Sequence, residues 1–372
     1  MMIGFSAVIL AAGLAWSAPS APNVQIGTTT ARPLIRVGTF IGGRTNIVFR
    51  TSTHGYFDRA GLDVRLLTKN LHGHKIFVIA PGAAAAQSQE KKMGIEVYSK
   101  MTGIEIVDLM NLGRADAGLI GESSFISCVV RGDPIVAVAL LGHDRKDMPG
   151  HAMVLRKDIA IRGPEDFKGL RLASRRAGPG DVTFLREFLA SEKVDPSWVT
   201  ILDQMSDDDQ TKQLVLHKID GGYFHMLTVR TLIMNDLVRL YRPLNWMNAE
   251  MSQAVLVFRR DFVRQNPEAV TRFVEAYMRR IRDEKPMPAT VPSSKTDWLD
   301  RGLTRKHEFM GMSMPVYDDV PLVRPELLGE MQRLLLKYQE IPRAADLTPA
   351  IDNSFVEEAD RRLKAERASA AP

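Results

Sequence analysis

Apolar residues in this chain gather in short runs separated by polar, glycine-containing loops. Leu34 to Gly38, Leu62 to Leu67, Ile76 to Ala80, Arg114 to Gly121, Pro134 to Leu141, His151 to Arg156, Leu170 to Ser174, Val199 to Leu202, Ile219 to His225 and Gln253 to Phe258 have the length and flanking residues of strands. Helical spacing fills the intervals: the segment before Gly55, Ala83 to Met93, Ile106 to Leu112, the stretch after Glu122, FLREFLASEK, the run to His217, and Pro267 to Ile281 with Val270, Phe273, Val274, Tyr277 and Ile281 on one face. Two more helices are predicted at Pro325 to Tyr338 and Phe355 to Ala365. Alternation of β and α units predicts an α/β protein with mostly parallel sheets and helices on both faces. In such sheets ligands sit beyond the carboxyl ends of strands, where helix N-termini present unpaired N–H groups. The loop from Thr39 to Asn46, rich in Gly, Thr and Asn, therefore stands out as a binding candidate.

Composition narrows the picture. With 372 residues, 45% hydrophobic and 25% charged, the chain can bury the cores of two lobes. Its 49 Lys and Arg against 44 Asp and Glu leave +5, but the basic residues are scattered, which argues against nucleic acid as a partner. The single cysteine, Cys128, excludes internal disulfides and cysteine-rich metal sites, and its apolar setting FISCVV predicts a buried, inert thiol. His72 and His74 form the one close histidine pair beside the isolated His54 and His143; two ligands without a placed third make a poor zinc site, so no metal and no cofactor are expected. The run Ile3 to Trp16 followed by Ser17 to Pro22 has the form of a secretory signal over residues 1–21, although no Lys or Arg precedes it. It is too short to span a bilayer, which takes about 20 apolar residues, and no later segment is apolar enough. The expected product is an exported, soluble chain whose residues 366–372 form a frayed tail.

Five segments carry a family likeness: HGYFDRAGLDVRLL, GRADAGLIGESS, PEDFKGLRLAS with the glycine loop after it, HKIDGGYFH, and FRRDFVRQNPEAVTRFVEAY. In this order and spacing they resemble the periplasmic solute-binding proteins of ABC importers in the nitrate/sulfonate/taurine and thiamine-pyrimidine group, over residues 34 to 285. The resemblance implies a two-lobed type II periplasmic binding fold, closing on a ligand about two crossovers. On that reading lobe I comprises residues 34–142 and 262–365, lobe II residues 150–258, and the polar connector from Gly142 to Gly150 is a crossover.

The resemblance directs four loops toward the ligand: Thr39, Phe40, Arg44, Thr45 and Asn46; Glu122, Ser123 and Ser124; Arg175, Gly178, Asp181 and Thr183; and Tyr223 with His225. Their hydroxyls, backbone amides, arginines and rings suit an anion held by a guanidinium fork or a flat ring held by stacking. Arg44 is equally readable as a surface residue, and of Arg175 and Arg176 one faces outward. Tyr223 and His225 share one strand face, leaving Phe224 to the core.

The implied role is capture of a small organic solute, anionic or aromatic, in the periplasm by a monomer that delivers it to an ABC permease and its ATPase. The alternatives are an enzyme on the same fold, desulfinating or pyrimidine-forming, and a ligand-presenting sensor. Glu122 to Ser124 lacks the nucleophile-elbow pattern, and enzymes of this likeness use cysteines in the cleft, where the lone Cys128 does not fit.

Overall fold

A computed structural model describes residues 32–39, 43–69, 76–79, 101–144, 150–175, 179–242, 249–251, 253–283 and 316–370. Residues 1–31, including the expected signal, and the predicted helix Ala83 to Met93 lie outside the described residues, as do His72 and His74.

Eleven strands make two sheets among the described residues. The first has the order β3-β2-β1-β4-β11-β5, with β1 Leu34–Gly38, β2 Asp63–Lys69, β3 Ile76–Ile79, β4 Ala117–Gly121, β5 Ile135–His143 and β11 Gln253–Arg259. The second has the order β10-β6-β9-β7-β8, with β6 His151–Arg156, β7 Arg171–Arg175, β8 Thr200–Met205, β9 Gly221–His225 and β10 Val238–Arg242. Both are mixed. β1 is parallel to β2 and β4, and β7 to β8 and β9, but β11 runs antiparallel between β4 and β5, and β6 runs antiparallel to β9 and β10. The expectation of mostly parallel sheets gives way because β11 and β6 are each inserted antiparallel to both of their neighbours, and the edge strand β3 pairs antiparallel with β2. Gln253–Arg259, grouped with the second lobe in the sequence, is hydrogen-bonded into the first sheet. Its continuous apolar run is what a fully buried central strand requires, and sequence alone does not tell which sheet it completes. Neither β10 nor the helix Met226–Met234 follows from the apolar pattern of the chain.

Each lobe is locked by the same device. In the first, Asp116 precedes β4; its carboxylate accepts from the Arg36 backbone N–H (2.9 Å), Nε (2.9 Å) and Nη2 (2.7 Å), while its own N–H donates to the Arg36 carbonyl (2.8 Å). In the second, Asp220 precedes β9 and accepts from the Arg171 backbone N–H (2.8 Å) and Nε (3.1 Å), with its N–H on the Arg171 carbonyl (2.8 Å). Arg156 Nη1 adds a contact at 3.0 Å. An Asp at the start of a parallel strand thus pins its neighbour through a bidentate, charge-assisted fork. Burial pushes the Asp220 carboxyl up, but Arg171 and Arg156 outweigh it and hold the group below the usual carboxylate range. We expect Asp220→Ala to cost about 1–3 kcal/mol at neutral pH, since it removes the acceptor shared by two guanidiniums and leaves the Arg171 backbone N–H without its partner, while Arg156 keeps Asp158 and Arg171 keeps the His217 carbonyl. A urea titration measures it; because the pKa is depressed, the loss should shrink as pH falls below the ordinary carboxylate value.

The C-terminal region packs on both lobes. Pro325–Lys337 buries Leu327, Leu328, Met331 and Leu335 and contacts the helices Glu122–Arg131 of the first lobe and Pro179–Ser191 of the second. Lys337 Nζ and the Tyr338 hydroxyl both reach Glu187 at 2.6 Å, and Arg343 donates to the Val130 carbonyl at 3.1 Å. Leu140 N–H donates to the Pro321 carbonyl and Asp352 N–H to that of Ala137, both at 2.8 Å, so these segments cover the outer edge of β5. The predicted helix at Pro267 to Ile281 runs to Asp283, buries Phe273, Val274 and Tyr277 against the first sheet, and aims the Tyr277 hydroxyl at the Leu140 carbonyl (2.8 Å).

Candidate functional site

Two lobes face each other where the chain leaves β5 at Asp144 and re-enters at His151. On the first lobe, the short turn Gly43–Thr45 after β1 presents Arg44, and Gly121 hands β4 over to the helix Glu122–Arg131, whose first residue is Glu122. On the second, β7 ends at Arg175, the helix Pro179–Ser191 brings Asp181 in its first turn, and β9 ends with Tyr223 and His225.

These residues form a buried charged chain. Arg44 Nε donates to Asp144 Oδ1 at 3.1 Å, its Nη1 lies 3.8 Å from Glu122 Oε2, and the same nitrogen donates to the Gln253 carbonyl at 3.4 Å. The far oxygen of Asp144 is 3.5 Å from His151 Nδ1. His151 Nε2 meets Arg175 Nη2 at 2.8 Å, and Arg175 Nε donates to Asp181 Oδ2 at 2.6 Å. An aromatic wall flanks it: the His151 and Tyr223 rings stack with centroids 5.2 Å apart, and His225 stands edge-on to His151 at 5.1 Å. Helix N-termini at Glu122 and Pro179 direct partial positive charge at this region.

Burial and neighbours set the charges. Burial raises the Asp144 carboxyl, yet Arg44 and His151 overcome it and hold the group well below the usual carboxylate range. Burial likewise raises Asp181, and Arg175, His151 and Arg44 bring it below its ordinary value. Glu122 is different. Burial pushes it up to about 7; Arg44, farther away, only partly offsets this, and Asp181 and Asp144 add to it. Burial, with His151 and Arg175, pushes His225 well below the ordinary imidazole value, and burial with Asp181 and Asp144 pushes the Tyr223 phenol well above its own.

The fold therefore brings Arg44, Glu122, Arg175, Asp181, Tyr223 and His225 into one place. Ser123 joins them at the lobe contact: a Cβ on Gly180 of the second lobe would lie 2.9 Å from its Oγ and 3.3 Å from Glu122 Oε1. Ser124 turns away, its Oγ 2.6 Å from where a Cβ on Gly103 would be, inside the first lobe. Thr39 and Thr45 are buried beside the turn, Thr39 N–H donating to the Leu67 carbonyl, and Asn46 opens the helix Asn46–Thr53. Thr183 is buried within its helix. Phe40 and Gly178 lie outside the described residues, as does Arg176. Arg44 is no surface residue: its side chain is 15% exposed. Phe224 is in the core.

Three site residues escape sequence reasoning. Asp144 and His151 bound what reads as a polar connector, and Gln253 opens an apolar strand. The signal that could have found the first two is position: residues at both ends of a crossover sit at the hinge and so face both lobes. Gln253 is fully buried, its N–H donates to Glu122 Oε2 at 3.2 Å, and its side-chain amide has no hydrogen-bond partner among the described residues.

This architecture is that of the two-lobed periplasmic binding proteins. The periplasmic sulfonate-binding protein SsuA from Methylobacillus flagellatus KT superposes with a TM-score of 0.58 at 18% identity, covering 90% of this chain and 96% of its own. The periplasmic nitrate-binding protein NrtA from Synechocystis PCC 6803 gives 0.60 at 12%, covering 89% of each chain. The desulfurization enzyme DszB gives 0.56 at 14%, covering 89% and 99%. No curated protein matches the sequence. The profile of the NMT1/THI5-like family matches residues 90–285, more than half of the chain, and the protein belongs to that family.

Proposed function

We propose that this protein is the periplasmic solute-binding component of an ABC importer, holding a small organic molecule between its lobes and delivering it to a permease and its ATPase as a monomer. The observation that carries this is the buried chain from Arg44 through Asp144 and His151 to Arg175 and Asp181, which runs from the first lobe to the second across the ends of the crossover. Closure of that kind excludes water from a ligand and strengthens every polar contact to it, and reopening releases it. Sulfonate- and nitrate-binding neighbours on the same fold support the class of role. Among the described residues no helix is long and apolar enough to cross a membrane.

A desulfinase-like reading has weaker support. Cys128 is packed in the core, and burial pushes its thiol up to about 12, so it offers no thiolate at neutral pH.

Gly180→Leu tests the closure. Gly180 needs no unusual backbone, but a side chain there would meet Ser123 and Glu122 across the lobes. We expect unchanged folding, a more open particle by small-angle X-ray scattering, and at least about tenfold loss of affinity for the solute that co-purifies from the periplasm, about 1.4 kcal/mol. Full affinity in this variant would sink the two-lobe clamp; native mass spectrometry that finds no solute and a turnover assay that finds product would move the role to an enzyme.

A further inference from the structure

The solute-binding reading leaves the ligand's charge open, and the cleft's carboxyls bear on it. Arg44 and Arg175 are each engaged by a carboxylate of their own, Asp144 at 3.1 Å and Asp181 at 2.6 Å. A sulfonate or nitrate arriving here would have to displace a buried aspartate from its guanidinium, or bury a further negative charge beside three carboxyls; both cost free energy.

Glu122 is the group left over. It stands in the first turn of its helix, its Oε2 takes the Gln253 N–H at 3.2 Å, and Arg44, the cation paired with it among the described residues, is 3.8 Å away and turned toward Asp144. From the other elements packed around it come Asp181 on the second lobe and Asp144 at the crossover, both negative, with Arg44 the only described cation acting on it among its principal electrostatic neighbours. Gln253, whose backbone N–H Glu122 Oε2 accepts, is fully buried, and neither its side-chain oxygen nor its side-chain nitrogen is hydrogen-bonded among the described residues. A carboxylate next to an amide presents two acceptors and one donor pair. That set complements a group with several N–H donors on a planar edge. The stacked His151 and Tyr223 rings add a flat wall within the same cluster.

The geometry points to a ligand that carries a cationic or amidine-like nitrogen edge, held by Glu122 and Gln253, rather than a simple oxyanion. This rests on the solute-binding reading and names the chemistry of its cleft. A cation settling against Glu122 favours the ionised carboxylate, so binding expels the proton that burial keeps there below about pH 7. Affinity therefore rises from pH 6 to pH 8, with proton release at the lower end.

The test is isothermal titration calorimetry of the full-length mature protein with two probes, benzamidine and ethanesulfonate, in buffers of different ionisation enthalpy at pH 6, 7 and 8. The expected result is binding of benzamidine at least about tenfold tighter than ethanesulfonate, with proton release at pH 6 that disappears in Glu122→Gln together with about tenfold of the affinity. Gln253→Leu should weaken benzamidine without removing the proton release. Tighter binding of ethanesulfonate, or benzamidine affinity and proton release unchanged in Glu122→Gln, overturns the assignment. Where neither probe binds, native mass spectrometry separates the two failures: an anionic solute released on denaturation overturns the charge assignment and keeps the solute-binding role, while an empty protein removes both.

Discussion

Gly222→Val should unfold the second lobe at moderate denaturant. Gly222 lies in β9, the strand between β6 and β7, with φ +149°. A Cβ built on it would lie 2.1 Å from the Ala173 carbonyl oxygen and 2.7 Å from the Ala173 nitrogen on β7. These are backbone atoms of a paired strand, so no rotamer change relieves the clash. Only separation of the two strands would, and that breaks the Leu172–Gly221 and Ala173–Gly222 pairing. Strained backbone and forced overpacking each cost on the order of 1–3 kcal/mol, and here they add to about 4 kcal/mol, a large part of the stability of an ordinary domain. Urea unfolding monitored by intrinsic fluorescence reads the loss. A change under about 1 kcal/mol would show that β9 and β7 do not approach as described. Because Tyr223 and His225 follow on the same strand, the variant should disrupt the candidate site as well.

Glu122→Gln should make the protein more stable at pH 8 and leave it unchanged at pH 4. Burial raises the folded carboxyl to about 7, against an unfolded value of about 4.3. A carboxyl raised by folding binds its proton more tightly in the native state, so the native state loses stability as pH climbs from the unfolded value through the folded one. Well above pH 7 the penalty is fully developed at about 4 kcal/mol, and near pH 4 it is absent. Glutamine removes the ionisation and keeps a carbonyl to accept the Gln253 N–H, so the substitution returns that free energy only at high pH. Thermal melts of both proteins from pH 4 to pH 8 would check it, a gap that fails to open with pH being the contrary result. Asp144 and Asp181 behave in the opposite sense. Their folded values are depressed, and the stability they lend is present at neutral pH and fades only as pH falls below the ordinary carboxylate range. The candidate site thus carries one carboxyl that opposes folding and two that favour it.

Much of the fold is legible in the chain. The succession of a short apolar strand at Leu34 to Gly38, a Gly/Thr loop and a helix, and the return of that grammar at Ala117 and Leu170, follow from burial of apolar strands between amphipathic helices. Arg44, Glu122, Arg175, Asp181, Tyr223 and His225 can be named from the sequence because its resemblance to the solute-binding proteins directs their loops toward the ligand. Sequence determined most of the strands and helices and the polar loops between them, since these depend on local periodicity and turn chemistry.

Tertiary structure alone decided the rest. Which sheet receives β11 depends on pairing between strands far apart in the chain, and an apolar run fits either. The matched Arg36–Asp116 and Arg171–Asp220 locks escape a repeat search because each is one pair of residues separated by long, dissimilar stretches. Whether Arg44 is free to clamp an anion was undecidable until Asp144, one hundred residues away, proved to lie 3.1 Å from it. Asp144, His151 and Gln253 became site residues through the meeting of two lobes, and charge balance in a buried cluster is a property of distances that no local pattern encodes.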